Sequence, residues 1–198
     1  MPTYLGSKVF RAMAKRIPRF SFEGLPPQIA AALQPKYQRL GYLGEFFAAT
    51  AHQPAALQAF IEFTDLSKGE LDMRLVELIA LTVATMKNVP YEKHQHERLS
   101  YRLGYGRDWV ADVECLAPDT ATTFDETERC VQRFLIAAVA HDGEGTEPLL
   151  NEIAERLGVE QAVAVLFVLG RYVSHAVIVN SLGIESPVCS IFDPEFTE

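Results

Sequence analysis

The sequence predicts an all-α protein. Proline and glycine are sparse, and they fall mostly between stretches in which apolar residues recur at helical spacing. The chain contains no Asn-Gly hairpin turn, and sustained alternation of apolar and polar residues is absent outside those stretches. We therefore expect a bundle of about seven to nine helices.

Capping residues, prolines and glycines define the expected helices in chain order. Helices are predicted at 28–40, 43–51, 54–63, 71–87, 88–103, 107–116, 123–140, 147–157 and 159–182. Pro54 suits a first helical turn, and Asp72 is a suitable N-cap for the helix that follows it. Asn88 is the expected N-cap of the next helix, whose first turn accommodates Pro90. The pattern Thr123-x-x-Glu126 resembles a capping box, and Gly104 and Gly158 are expected stops.

The domain organisation is expected to be simple. At 198 residues the chain is long enough for one good-sized domain and short for two. We assign 1–40 to an N-terminal arm and linker, 41–186 to the helical domain and 187–198 to a C-terminal tail. The first twenty residues carry five basic side chains and no acid. They lack the serine-rich character of a transit peptide and the apolar core of a secretory signal, so an arm that packs on the domain or a partner chain is expected.

Charge and cysteine content exclude several classes of protein. The net charge of −8 argues against a general nucleic-acid binder. Cys115, Cys130 and Cys189 form no CxxC pair, so neither a disulfide framework nor a zinc knuckle is indicated, and a reducing cytoplasm fits best. The apolar stretch 162–184 contains Arg171 near its centre, which favours a buried core helix over a membrane span.

Glu77 is the most unusual residue of the first half, because it lies within the apolar run 75–81. A buried carboxylate costs several kcal/mol unless a partner compensates its charge. The next helix offers Glu92 and His96, which lie at positions i and i+4 on one face. Glutamate, glutamate and histidine in one buried pocket would form a general acid/base site.

These residues carry a resemblance to a known family. The run 71–81, followed by Tyr91-Glu92-x-x-x-His96 and Gly104, resembles the carboxymuconolactone decarboxylase family, which includes the AhpD-like alkylhydroperoxidases. The similarity covers roughly 41–115, with a weaker likeness of layout over 124–184. It implies an all-α, AhpD-like fold and catalytic roles for Glu77, Glu92 and His96.

The resemblance also limits the chemistry. The peroxidase branch has a CxxC-x-x-x-H motif, and its two cysteine positions correspond here to Val89 and Glu92. Neither side chain can form a sulfenic acid or a disulfide, so thiol peroxidase chemistry at this site is not expected. The Tyr-Glu form is closer to the decarboxylases, which release CO2 without a cofactor.

The leading hypothesis is a cofactor-independent lyase acting on a small carboxylated compound of the aromatic-degradation type. His96 would donate the proton, Glu77 would orient it, and Glu92 would accept or return a proton. Tyr91, Tyr172 and His175 are expected to contact the substrate. The N-terminal arm of about 40 residues is a departure from the decarboxylase, so hydrolysis or isomerisation remains an alternative. Family members are homo-oligomers, and no nucleic-acid or membrane partner is expected.

Other interpretations of the same residues remain open. Arg74 or Arg98 would bind a substrate carboxylate or serve only as surface charges. Each site residue also has a purely structural interpretation. Glu77 would be part of a structural ion pair, and His96 would be a hydrogen-bonded core histidine. Glu92 would be an acid in the first turn of its helix, where the helix dipole favours it. A metal site built from Glu77, Glu92 and His96 is a minor alternative. His94 would not add a ligand to it, because residues two positions apart on a helix point to nearly opposite faces. A ligand-binding member without catalytic activity is the second functional hypothesis.

Overall fold

The computed structural model describes residues 17–197, and it confirms the all-α class. Within that range there are nine α-helices, one 3-10 turn at Phe22–Gly24 and no strand. The helices are α1 (Pro27–Leu40), α2 (Glu45–Thr50), α3 (Pro54–Lys68), α4 (Met73–Met86), α5 (Pro90–Arg102), α6 (Arg107–Cys115), α7 (Glu126–Ala140), α8 (Glu147–Leu157) and α9 (Val159–Leu182). Most boundaries fall within two residues of the predicted ones, while α3 continues past the predicted end at residue 63.

The start of α4 is as predicted, and the start of α5 is not. Asp72 caps α4 by accepting a hydrogen bond from the backbone N–H of Arg74 at 2.8 Å. The predicted N-cap of α5 at Asn88 is wrong, because Val89 occupies that position and makes no side-chain cap. Asn88 instead adopts a left-handed conformation with φ of 50°. This conformation, which asparagine tolerates better than most residues, turns the chain sharply between α4 and α5.

The predicted capping box of α7 is also displaced. Asp125 is the N-cap, and its side chain accepts from the N–H of Glu128 while the Glu128 carboxylate accepts from the N–H of Asp125. Thr123 lies outside the helix, and its hydroxyl donates to Asp112 at 2.8 Å. The sequence contains two overlapping patterns of the same kind, and the one nearer the apolar run forms the cap.

The described chain separates into two compact units, with the division after Gln58. In the first unit, Arg19 pairs with Glu45 at 2.9 Å, and the rings of Phe22 and Tyr37 stack with centroids 4.0 Å apart. Residues 1–16, which include four of the five basic side chains in the first twenty residues, lie outside the described residues.

The second unit is organised around α4. All ten consecutive residues from Leu75 to Ala84 are buried, Glu77 among them, and the helix packs against α5, α6, α7 and α9. A helix surrounded on all sides needs no polar face, which explains the continuous apolar run in the sequence. α9 is long and apolar enough to span a membrane by length and composition, but more than half of its apolar window is buried, as in the core helix of a soluble protein.

The segment after α9 lies along α5. Glu97 is fully buried, and its Oε2 accepts hydrogen bonds from the Ser190 hydroxyl and the Ile191 N–H. One position further along α5, Arg98 donates from Nε to the carbonyl of Cys189 at 3.0 Å. This side of α5 is therefore covered by residues 188–191, and its opposite side carries Glu92 and His96.

Candidate active site

The structure brings Glu77 and His96 into direct contact. The turn between α4 and α5 folds the two helices against each other, and Nδ1 of His96 lies 2.7 Å from Oε2 of Glu77. The Ser100 hydroxyl donates to the same Glu77 oxygen at 3.4 Å. Glu77 is almost completely buried, while the His96 side chain keeps 13% of its surface exposed. The buried carboxylate of Glu77 thus orients the His96 ring, which remains partly accessible to solvent.

Glu92 links the two histidines and an arginine. Its Oε1 lies 3.3 Å from Nε2 of His96 and 3.1 Å from Nη1 of Arg171, while its Oε2 lies 2.8 Å from Nδ1 of His175. The Glu92 carboxylate is therefore surrounded by three nitrogen atoms, each from a different side chain. Such a buried acid is compensated by its surroundings and does not need a proton of its own.

One face of α9 completes the cluster. Arg171, Tyr172 and His175 lie on this face and are all buried. The Tyr172 hydroxyl lies 3.4 Å from Nε2 of His96, and its ring meets the imidazole edge-on with centroids 5.4 Å apart. Tyr91 of α5 stacks on the His175 ring, with the two centroids 6.3 Å apart. Three helices, α4, α5 and α9, thus supply all seven side chains of the cluster.

His96 is held in its charged form. Burial lowers the pKa of His96, but the adjacent carboxylate of Glu77 and, more weakly, that of Glu92 outweigh burial and raise the pKa to about 9. At neutral pH both ring nitrogens therefore carry protons. The short contact fixes the proton on Nδ1, and the longer contacts leave the proton on Nε2 more available for transfer.

The other titratable groups have defined states as well. Burial raises the pKa of Glu92, but contacts with His175, His96 and Arg171 prevail and hold that pKa well below its usual value. Burial lowers the pKa of His175, and the neighbouring charges of Arg171 and His96 lower it further against the opposing effect of Glu92. At neutral pH the cluster therefore contains an ionised Glu92 and a neutral His175.

Tyr172 remains a neutral phenol. Burial raises the pKa of its hydroxyl, and the carboxylates of Glu77 and Glu92 raise that pKa further against the opposing effect of Arg171. A neutral hydroxyl next to Nε2 of His96 can donate or accept a hydrogen bond without changing the charge of the cluster.

Arg171 is the site residue that sequence reasoning missed. In the sequence, Arg171 served only as an argument against a membrane span. A lone arginine in the most apolar helix nevertheless needs a counter-charge, just as a buried Glu77 does. Both arginines named as carboxylate binders are engaged elsewhere. Arg74 pairs with Glu128 at 2.7 Å, and Arg98 donates to the carbonyl of Cys189.

The cysteines are distributed away from one another. Cys115 is exposed at the end of α6, Cys130 is buried in α7, and Cys189 lies in the segment after α9, where its Sγ accepts from Arg98. Burial raises the pKa of the Cys130 thiol to about 11, and Glu152 adds to this effect. Within residues 17–197, no group of three or more histidine, cysteine, aspartate or glutamate side chains is arranged to hold a metal ion.

The arrangement is suited to proton transfer. A charged imidazole is anchored on one nitrogen by a buried carboxylate, and its second nitrogen faces a phenol and another carboxylate. This geometry matches the requirement that a general acid be oriented and supplied with a proton before the reaction begins.

The comparisons with known proteins support the fold. No protein-family model and no curated protein matches the sequence. A solved structure of an uncharacterised peroxidase-related protein from Ralstonia eutropha JMP134, described as an alkylhydroperoxidase AhpD core, superposes with a TM-score of 0.74 at 17% identity. That match covers 87% of this chain and 94% of the other.

Two further solved structures show the same likeness. The debrominase Bmp8, in a variant bound to 2,3,4-tribromopyrrole, has a TM-score of 0.74 at 16% identity and covers 87% of this chain and 92% of its own. An AhpD-like protein of unknown function from Agrobacterium tumefaciens has a TM-score of 0.62 at 17% identity, over 69% of this chain and 94% of its own. At these identities the likeness establishes the fold, and the chain therefore has the AhpD-like helical fold that its glutamate–glutamate–histidine pattern predicted.

Proposed function

We propose that the protein is a cofactor-independent lyase that decarboxylates a small carboxylated compound, of the kind formed when aromatic rings are degraded. The observation that supports this function best is the charged His96, which lies between two carboxylates and keeps 13% of its side chain exposed. Decarboxylation leaves a carbanion, and such an intermediate needs a proton donor already in position.

The proposed step requires only groups that are present. The bond between the carboxylate and its carbon breaks, and the electron pair stays on that carbon while CO2 leaves. The proton on Nε2 of His96 then moves to the carbon, and the imidazole becomes neutral. A proton from water restores the imidazolium, so that the net reaction consumes one proton and replaces the carboxylate by hydrogen.

The neighbouring side chains have separate tasks in this scheme. Glu77 fixes the imidazole ring through Nδ1 and favours its charged form. Glu92 stabilises the same charge from the other nitrogen and connects it to His175. Tyr172 and Tyr91 line the cluster from α9 and α5, where they would contact the substrate.

The structural neighbours include enzymes of other kinds. One is described as peroxidase-related, and another is a debrominase bound to a brominated pyrrole. In this chain the two positions that correspond to the redox thiols of the AhpD-like peroxidases are Val89 and Glu92. The ion pairs of Glu92 occupy the place where such a thiol would react, which favours acid/base chemistry over peroxide reduction.

A test of this function measures CO2 release from a panel of carboxylated lactones and unsaturated acids at pH 7. The His96→Gln variant is expected to lower turnover by about 10²- to 10⁴-fold, the usual contribution of a positioned general acid. His94→Gln is the matched control, because His94 is on the same helix and faces the carbonyl of Val188. It is expected to retain full turnover.

Two results would contradict the proposal. Equal turnover in the His96→Gln and His94→Gln variants would exclude His96 as the proton donor. Binding of the carboxylates with no turnover by any form of the protein would favour the second candidate, a ligand-binding protein that keeps the buried cluster for stability.

A further inference from the structure

Arg171 is the only buried arginine among residues 17–197. Its guanidinium group has five N–H donors in a planar fork. Nη1 donates to Glu92 at 3.1 Å, and Nε donates to the Thr64 hydroxyl at 3.2 Å. The guanidinium also lies over the Tyr172 ring, 4.3 Å from its centroid, which fixes its plane.

Part of this fork has no acceptor. Nη2 of Arg171 makes no hydrogen bond with any residue of 59–197, and it is not one of the fully enclosed polar atoms. A guanidinium buried this deeply usually has its donors satisfied, because each unsatisfied donor costs free energy. An arginine that is oriented by three neighbours and keeps a donor pair unused is prepared to receive an anion.

The charges of the surrounding groups favour the same ligand. At neutral pH the cluster contains two carboxylates, Glu77 and Glu92, and two cations, Arg171 and the charged His96. Lys68 of α3 adds a third cation, with Nζ 5.5 Å from the centroid of the Tyr172 ring. Two cations, Arg171 and Lys68, therefore lie near the Tyr172 ring, and this arrangement favours an anionic ligand.

We propose that Arg171 is the specificity-determining residue of the site and binds a carboxylate that the substrate retains through the reaction. The inference rests on the proposed function and deepens it. An ion pair stabilises a carboxylate in its charged form, so a carboxylate held by Arg171 is a poor candidate for departure as neutral CO2. The reacting carbon would then lie on the side of His96, whose Nε2 approaches the same oxygen of Glu92 as Nη1 of Arg171.

Binding measurements test the inference without turnover. Calorimetric titration of the full chain at pH 7 compares benzoate with benzamide, which has a similar shape and no charge. Benzoate is expected to bind at least about tenfold more tightly, since a hydrogen-bonded charge pair contributes that much. Arg171→Lys retains a positive charge next to Glu92 but loses the planar fork, and it is expected to remove most of this preference. Arg98→Lys is the matched control and is expected to leave the preference for benzoate over benzamide unchanged.

Several outcomes would overturn the inference. These are the absence of benzoate binding at millimolar concentration, equal affinity for benzoate and benzamide, or an unchanged preference in a folded Arg171→Lys variant. The proposed function fails separately. If turnover depends on His96 while both probes bind equally, the lyase stands and the inference about Arg171 is wrong. If benzoate binding depends on Arg171 and no CO2 is released, the inference stands and the lyase is wrong.

Discussion

Nδ1 of His96 and Oε2 of Glu77 lie 2.7 Å apart, although 19 positions separate the two residues and different helices carry them. The contact converts the most costly residue of the core helix into the group that orients an imidazole. It also explains why the pKa of His96 is raised to about 9 in spite of burial.

The first prediction concerns this pair. In Glu77→Gln the coulombic attraction is lost, so the pKa of His96 is expected to fall by at least about one unit. Titration of the His96 ring protons by NMR measures the change. Ser100→Ala removes only the weak 3.4 Å contact to Glu77 and is expected to leave the titration of His96 in place. An unchanged titration in Glu77→Gln would show that Glu77 does not set the charge of His96.

The second prediction concerns the pH dependence of turnover. Since His96 donates the proton in the proposed step, the active form is the imidazolium, which predominates below its pKa of about 9. Turnover is therefore expected to be lost as the pH rises through about 9. In Glu77→Gln the alkaline limb should move to lower pH together with the pKa of His96. If the alkaline limb does not move in Glu77→Gln, the loss of turnover at high pH is due to a group other than His96.

The third prediction concerns Glu114, a half-buried acid outside the site. Burial raises its pKa to about 7, and the neighbouring carboxylate of Glu97 contributes in the same direction against the ion pair with Lys93. Because the folded-state pKa lies above the unfolded value, the folded protein binds more protons between pH 4.5 and 7. The contribution of Glu114 to stability is therefore expected to decrease as the pH rises through this window.

Chemical denaturation at a series of pH values checks this expectation. Glu114→Gln removes the titrating group, so the decrease between pH 4.5 and 7 is expected to become smaller by about 1–2 kcal/mol. Asp119→Asn, which alters an exposed acid paired with Arg133, is the control and should leave the slope unchanged. Equal slopes in wild type and Glu114→Gln would show that the pKa of Glu114 is not raised.

The fourth prediction concerns the thiols. The proposed chemistry uses no cysteine, and Cys115, Cys130 and Cys189 lie in separate parts of the chain. Alkylation with iodoacetamide is therefore expected to leave turnover unchanged. Mass spectrometry should show that Cys115 reacts first, because it is exposed while the Cys130 thiol is buried with a pKa of about 11. Loss of activity in proportion to alkylation would restore the thiol-dependent hypothesis.

The fifth prediction concerns assembly, and here we propose a homo-oligomer. An exposed apolar stripe runs along α9 and includes Val159, Val163, Phe167 and Val177, and Phe63 of α3 meets Phe167 edge-on. Several exposed apolar side chains along one helix are typical of an interface. Light scattering is expected to give a multiple of the 22.1 kDa chain mass. Phe167→Glu should shift the population toward the monomer, and a wild-type monomer would contradict the proposal.

Sequence reasoning predicted the fold and named six of the seven side chains that the structure brings together, for identifiable reasons. The apolar periodicity of α4 and the prolines and glycines at helix ends are local signals, so the helix order could be predicted. Glu77, Glu92 and His96 were recognised because their spacing within two adjacent helices is fixed by the chain. Where two local signals overlapped, as at Thr123 and Asp125, the choice between them depended on packing that the sequence does not display.

Tyr172 and His175 of α9 were named from the sequence, but the contribution of Arg171 on the same helix could not be predicted in the same way. Arg171 reaches Glu92 across 79 positions in sequence, and such a distance carries no periodicity. The chemical signal was nevertheless present, since an arginine in an apolar helix requires a counter-charge as much as a glutamate does. Pairing the two isolated charges of the core, one of each sign, would have pointed to Arg171 in place of Arg74 and Arg98.

The carboxylate of Glu97 has a consequence for the synthesis of the protein. It is completely buried in α5, where Lys93 lies 3.6 Å from its Oε1, and its hydrogen-bond donors are the Ser190 hydroxyl and the Ile191 N–H, 93 and 94 positions later. While the chain is still being made, α5 can form with Glu97 in water, but the carboxylate can be buried with these two donors only after residue 191 has left the ribosome. The helix that presents Glu92 and His96 is thus completed late, and a nascent chain stalled before residue 190 should contain the site residues without their final packing.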